Sequence, residues 1–123
     1  MRPAHILRLV LLTAVLLTSG CASNNKGKIE GTKWSSLAGT VKGNFLPAGT
    51  LQLEFRSDKS LVYGGGPLVY TGTYSLGMGD TVTFHLTKEL AGRKDHAQKI
   101  VVNGDRLTVT DSDGTQLTFE KVK

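Results

Sequence analysis

The chain has 123 residues, enough for one domain and too few for two. Fifteen lysines and arginines stand against ten aspartates and glutamates, a formal charge of +5. No basic run is interleaved with aromatics, so this excess argues for solubility and against a nucleic-acid groove. From the N-terminus, residues 1–20 read as a processing signal. Arg2 and Arg8 form the positive flank, Ile6 to Leu17 the apolar stretch, and Thr18, Ser19 and Gly20 the small residues of a cleavage site. The apolar core, Leu9 to Leu17 with one threonine, falls well short of the roughly 20 residues a spanning helix needs. Loss of residues 1–20 removes two arginines and leaves thirteen cations against ten anions, a charge of +3.

The only cysteine, Cys21, follows at once. Exported proteins use cysteines mostly in disulfide pairs, and Cys21 has no partner in the chain. Its flank, Ala22 to Lys28, is polar and glycine-containing, which suits neither a buried thiol nor a structured segment. The run Leu17-Thr18-Ser19-Gly20-Cys21 resembles the bacterial lipoprotein signal, with Thr18 where that family prefers an apolar residue. The resemblance implies thioether lipidation of Cys21 and cleavage before it. Each buried CH₂ of the acyl chains would add roughly 0.8 kcal/mol of membrane affinity. It also implies a cell-envelope location. Ala22 after the cysteine implies the outer membrane if the cell is Gram-negative. Residues 21–28 are then expected to be a flexible tether, with Lys26 and Lys28 available to anionic headgroups.

From Ile29 the pattern changes to short alternating runs. Leu51, Leu53 and Phe55 share one face, with Gln52, Glu54 and Arg56 on the other. Tyr70, Gly72 and Tyr74 align, as do Val82, Phe84 and Leu86, Ile100 and Val102, Leu107 and Val109, and Leu117 and Phe119. A period of two rich in Thr, Val, Tyr and Phe is the strand signal. Asn103-Gly104 predicts a two-residue hairpin turn that Asp105 can lengthen, and Asp111-Ser112-Asp113-Gly114 predicts another turn. Thr87 to His96 is the one stretch read as a helical turn or a loop. Residues 29–123 therefore form one all-β domain. Seven or eight short strands with two or three inward residues each predict a small antiparallel up-and-down barrel, with a small β-sandwich as the alternative. A barrel this small is expected to be filled by its own side chains.

The order of elements carries a second resemblance. A Gly31-x-x-Trp34 start is followed by the Leu51–Phe55 strand, a Gly72-Thr73-Tyr74 strand, a Gly79-Asp80 turn and a final unit from Asn103 to Lys121. This is similar to the lipocalin-like small β-barrel domains of bacterial lipoproteins, planctomycete families among them. The resemblance implies that Trp34 plugs the base of the core. Gly31 and Trp34 are separated by two residues instead of the lipocalin one, and the chain is shorter than a full lipocalin.

Chemistry is sparse. His85 and His96, with Asp95 nearby, match no metal-ligand spacing, and the Asp111–Gly114 stretch lacks the later ligands of a calcium loop. No serine or threonine sits in a recognisable nucleophile elbow, and no rule brings Glu54 and Glu89 together as an acid–base pair. Tyr63-Gly64-Gly65-Gly66-Pro67 lacks the helix and lysine of a phosphate loop and reads as a flexible hairpin loop or mobile rim, with Tyr70 and Tyr74 near it. No cofactor, metal site or catalytic residue is expected. The expected function is that of a lipid-anchored envelope protein with a non-catalytic structural or protein-interaction domain. The alternative is a binder of a small apolar or amphipathic ligand at the barrel mouth. In either case Tyr63, Gly64, Gly65, Gly66, Tyr70 and Tyr74 are the candidate contacts. The partners are a membrane reached through the N-terminal lipid and an envelope protein or small ligand.

Overall fold

The computed structural model describes residues 22–123. The expected signal over 1–20 and the expected lipidation of Cys21 lie outside these residues. Ten strands follow in chain order: β1 Thr32–Ser36, β2 Gly39–Val41, β3 Asn44–Leu46, β4 Gln52–Phe55, β5 Ser60–Gly65, β6 Leu68–Leu76, β7 Thr81–Leu90, β8 Arg93–Asn103, β9 Arg106–Thr110 and β10 Gln116–Lys121. Eight of them close an antiparallel barrel in the order β1-β10-β9-β8-β7-β6-β5-β4, with β4 returning to β1. The remaining two, β2 and β3, form a separate hairpin inserted between β1 and β4. The chain is thus the lipocalin-like up-and-down barrel and not the sandwich.

The period-two residues fill the interior. Trp34, Leu53, Phe55, Leu61, Tyr74, Val82, Phe84, Leu86, Ile100, Leu107 and Phe119 are buried with Ile29 in one cluster. Phe55 meets Tyr74 and Phe84 edge-on, with centroids 5.1 and 6.0 Å apart, the geometry aromatic quadrupoles favour. Burying such a side chain contributes roughly 1.5–3 kcal/mol, so a dozen of them hold a domain of this size.

The two barrel ends are built differently. At the base the turns 56–59, 77–80 and 103–106 gather with residues 22–31. The expected free tether is replaced there by a structured plug. Ser23 bridges to Gly79, and the Asn24 amide N–H donates to the Gly79 carbonyl at 2.8 Å. The side-chain amide of buried Asn25 donates to the Ile100 carbonyl at 3.1 Å and the Asp80 carbonyl at 3.3 Å. Ile29 is fully buried. The polar composition that suggested a linker instead satisfies backbone acceptors at the end of the barrel, as buried polar groups must be. Trp34 is fully buried just inside this plug, its indole N–H donating to Thr32 Oγ1 at 2.8 Å.

Two turns differ from expectation in detail. Asn103 pairs with Arg106, so the two-residue turn is Gly104-Asp105. Gly104 alone has positive φ (63°), the type II′ pattern with glycine first. The Thr87–His96 stretch holds no helical turn. It is the tip of the β7–β8 hairpin, turning at Ala91-Gly92 with φ of 54° and 80°, the type I′ geometry that matches strand twist.

Candidate functional site

The mouth lies at the opposite end, among the turns of β5–β6, β7–β8 and β9–β10 and under the β2–β3 hairpin. It exists because β7 and β8 part company. His85 pairs with Asp95, but the next pair is Leu90 with Arg93, so Leu86 to Glu89 stand opposite Lys94 alone. Irregularities of this kind bend a strand and re-aim its side chains. Here the wall opens, and a cavity of about 380 Å³ lies against it, within the roughly 300–1,000 Å³ range of small-molecule sites. An adjoining cavity of about 220 Å³ shares Tyr63, Gln98 and Asp111 with it and reaches Val109 and Leu117. The expected solid filling therefore holds in the lower barrel and fails near the mouth.

One wall is aromatic and aliphatic, and the rest of the lining is polar or charged. Tyr63 and Phe84 present rings 6.2 Å apart at the centroids, and Leu86, Leu90 and Ala91 complete the apolar side. Burial, and secondarily the Asp111 carboxylate, push the Tyr63 hydroxyl above its usual range. Lys42, Arg93, Asp111 and Asp113 stand around the opening, two charges of each sign. Lys42 Nζ lies 3.3 Å from Asp113 Oδ2, tying the β2–β3 hairpin to the β9–β10 turn. The Thr115 backbone N–H, donating to Asp113 Oδ1 at 2.9 Å, and then the Thr115 and Lys42 side chains hold that carboxyl down at about 2.

Two polar side chains point inward from β8. His96 is buried, and its Nε2 donates to the Arg93 carbonyl at 2.9 Å, a backbone acceptor beside the strand irregularity. Gln98 Oε1 is buried with no hydrogen-bond partner among the described residues. An unpaired buried acceptor costs roughly 1–3 kcal/mol, and such a group in a native fold calls for a reason.

The sequence-derived candidates are placed unevenly. Tyr63 lines the cavity. Gly64 and Gly65 are not a mobile rim: they pair with Val69 and Leu68 in the β5–β6 ladder. A Cβ on Gly65 would stand 1.9 Å from the Thr50 carbonyl oxygen, so glycine is needed there for close backbone approach. Gly66 turns the hairpin with Pro67. Tyr70 is partly buried against the core, with the Lys88 ammonium 5.6 Å from its ring, and does not line the cavity. Tyr74 is buried at the other end, its hydroxyl donating to the Arg56 carbonyl at 2.7 Å, because the inward face of β6 runs from mouth to base. Gln98 escaped the sequence reading, and His96 entered it only as a possible metal ligand. Stepping back by two from Ile100 reaches both, polar residues at inward positions, and that break in the pattern was the available signal.

His85 and His96 do not converge, since neighbouring positions on adjacent strands put them on opposite faces. His85 instead sits on the outer surface between Ser75 and Asp95. Its Nε2 lies 2.9 Å from Ser75 Oγ and its Nδ1 2.9 Å from Asp95 Oδ1. The connectivity matches a nucleophile–base–carboxylate relay. The three residues lie on neighbouring positions of β6, β7 and β8. The trio is a cross-strand polar row.

No protein-family model, curated protein or solved structure matches the chain.

Proposed function

We propose that the barrel binds a compact, uncharged amphipathic molecule at its mouth while held in the cell envelope by a lipid on Cys21. The observation that carries the ligand is Gln98 Oε1, an acceptor unpaired among the described residues beside the Tyr63–Phe84–Leu86 wall of the cavity. A ligand with an apolar body and one N–H or O–H donor would satisfy it. The rim charges balance, which favours an uncharged molecule over a fatty-acid anion. The densely filled lower barrel favours a compact shape over a long acyl chain. This ligand reading takes precedence over a purely structural or protein-interaction role because the mouth end is not filled by its own side chains. It assigns no reaction to the domain. The anchoring part rests on the Leu17–Cys21 signal.

N-Phenyl-1-naphthylamine, a neutral fluorophore with a single N–H, tests the ligand part. With mature Cys21→Ser protein, saturable one-to-one enhancement is expected. Ser112→Trp, on an exposed turn that lines the cavity, should block the mouth and abolish enhancement without touching the core. No saturable signal, or a signal indifferent to Ser112→Trp, refutes the reading. Incorporation of labelled fatty acid in wild type and its loss in Cys21→Ala tests the anchor.

A further inference from the structure

We infer that the base of the barrel is a docking face for an anionic phospholipid surface, so that the protein stands with its mouth directed away from the bilayer. The inference deepens the anchoring part of the reading above, but its surface is argued from the described residues alone.

Three observations converge on one end. The first is where the chain leaves. Ser23 is bridged to Gly79 at the base, and two residues of chain reach at most about 7 Å. A lipid on Cys21 would therefore leave almost no slack, and the base would lie at headgroup level. The second is charge. The base segments 22–31, 56–59, 77–80, 103–106 and 121–123 hold seven of the thirteen lysines and arginines of residues 22–123 and four of their ten acids. That is the whole +3 of this part of the chain; the remaining barrel and the mouth sum to zero. The third is availability. Glu30 is engaged within the base, accepting from the Gly27 N–H at 2.9 Å with Lys59 Nζ 3.8 Å away, and Asp80 accepts from the Asn24 amide at 2.9 Å. Lys26, Lys28, Arg106, Lys121 and Lys123 are exposed and take part in no ion pair among the described residues. Met78, 68% exposed on the same end, adds an unbranched apolar side chain at the level of the headgroups.

The test separates surface from anchor by removing the anchor. Mature Cys21→Ser protein is sedimented with phosphatidylcholine vesicles with or without phosphatidylglycerol, at low and at physiological ionic strength. Binding is expected only to the anionic vesicles and is expected to weaken with salt, because exposed charges are screened over about 8 Å at physiological ionic strength. A lysine near an anionic surface contributes about 1 kcal/mol, roughly fivefold. The double variant Lys28→Gln/Lys121→Gln should then bind roughly thirtyfold more weakly. Lys88→Gln/Lys94→Gln, which removes the same charge elsewhere, should bind within about twofold of the parent by the same reckoning. Equal losses in the two doubles, or no preference for anionic vesicles at low salt, overturn the docking face. Fatty-acid labelling of Cys21 is read independently: label without vesicle binding overturns this inference and leaves the anchor standing. Vesicle binding without label does the reverse.

Discussion

Replacing Gln98 by leucine should make the protein more stable and a worse binder at once. Oε1 of Gln98 is buried without a partner among the described residues, and an unsatisfied buried acceptor costs roughly 1–3 kcal/mol. The side chain as a whole is only half-buried, so the lower end of that range applies. Leucine is of similar bulk and would rest among the apolar wall residues. We expect Gln98→Leu to gain about 1 kcal/mol, which for a domain near 100 residues raises the melting temperature by roughly 4–8 °C. The same substitution removes the acceptor for the N–H of N-phenyl-1-naphthylamine, and a net hydrogen bond of about 1 kcal/mol corresponds to roughly fivefold weaker binding. Urea denaturation with an unchanged m-value gives the first quantity, and fluorescence titration of the same preparation gives the second. Opposite signs are the point: a residue retained for function at a cost in stability behaves this way. If Gln98→Leu destabilises the fold, its amide is structurally satisfied and the site argument fails. If it stabilises without weakening the probe, the acceptor does not face the ligand.

Gly72→Ala should cost more than about 2 kcal/mol, since a Cβ there would stand 2.0 Å from the His85 carbonyl oxygen on the neighbouring strand and both backbones are fixed by the ladder; chemical denaturation measures it. Ala91→Gly should stabilise by about 0.5–1 kcal/mol, because φ of 54° strains an L-residue more than glycine loses in chain entropy; the melting temperature should rise. Asp113 is held down from 3.8 to about 2, so the folded state favours its ionised form. Its contribution is complete above pH ~4, the unfolded value. It is lost as pH falls through about 2. The stability difference between wild type and Asp113→Asn should shrink over that interval and stay flat above it, as read from denaturation midpoints against pH.

The barrel was legible because its cause is local and repeated. Leu53 and Phe55, Val82 and Phe84, and Leu107 and Val109 each commit a strand to one buried face, and eight such strands in a chain this short have few ways to hide that face. The hairpin turns at Gly104 and Gly114 were legible for the same reason, since they rest on nearest-neighbour backbone preferences. What could not be read is non-local. Nothing in Ser23 to Lys28 announces that Asn25 will find the Ile100 carbonyl 75 positions away, so a polar stretch that plugs the base looked like a tether. The parting of β7 and β8 between His85 and Leu90 has no glycine or proline to mark it. It looked like the one helical interruption in a strand pattern. The triple glycine misled for a different reason. Its composition suggests freedom, whereas Gly65 is there because the Thr50 backbone leaves no room for a side chain.

The plugged base and the parted β7–β8 mouth, at opposite ends of the molecule, belong to one design. A short barrel must close both ends or leave one open. The base is closed by chain that is itself buried: Ile29 is fully enclosed and the Asn25 amide is held by two carbonyls, so opening it means losing apolar burial and exposing unpaired acceptors together. The mouth is covered by the β2–β3 hairpin, whose Phe45 is exposed and whose charged tie to the barrel is the Lys42–Asp113 pair between two solvent-accessible side chains. Pairs of that kind are worth little, and segments with few buried contacts open at small free-energy cost. The weaker closure is therefore at the end with the cavity, and the stronger one is at the end from which the N-terminal chain departs. A ligand can then come and go at the mouth without disturbing the residues that hold the barrel together, or those that would lie against a membrane.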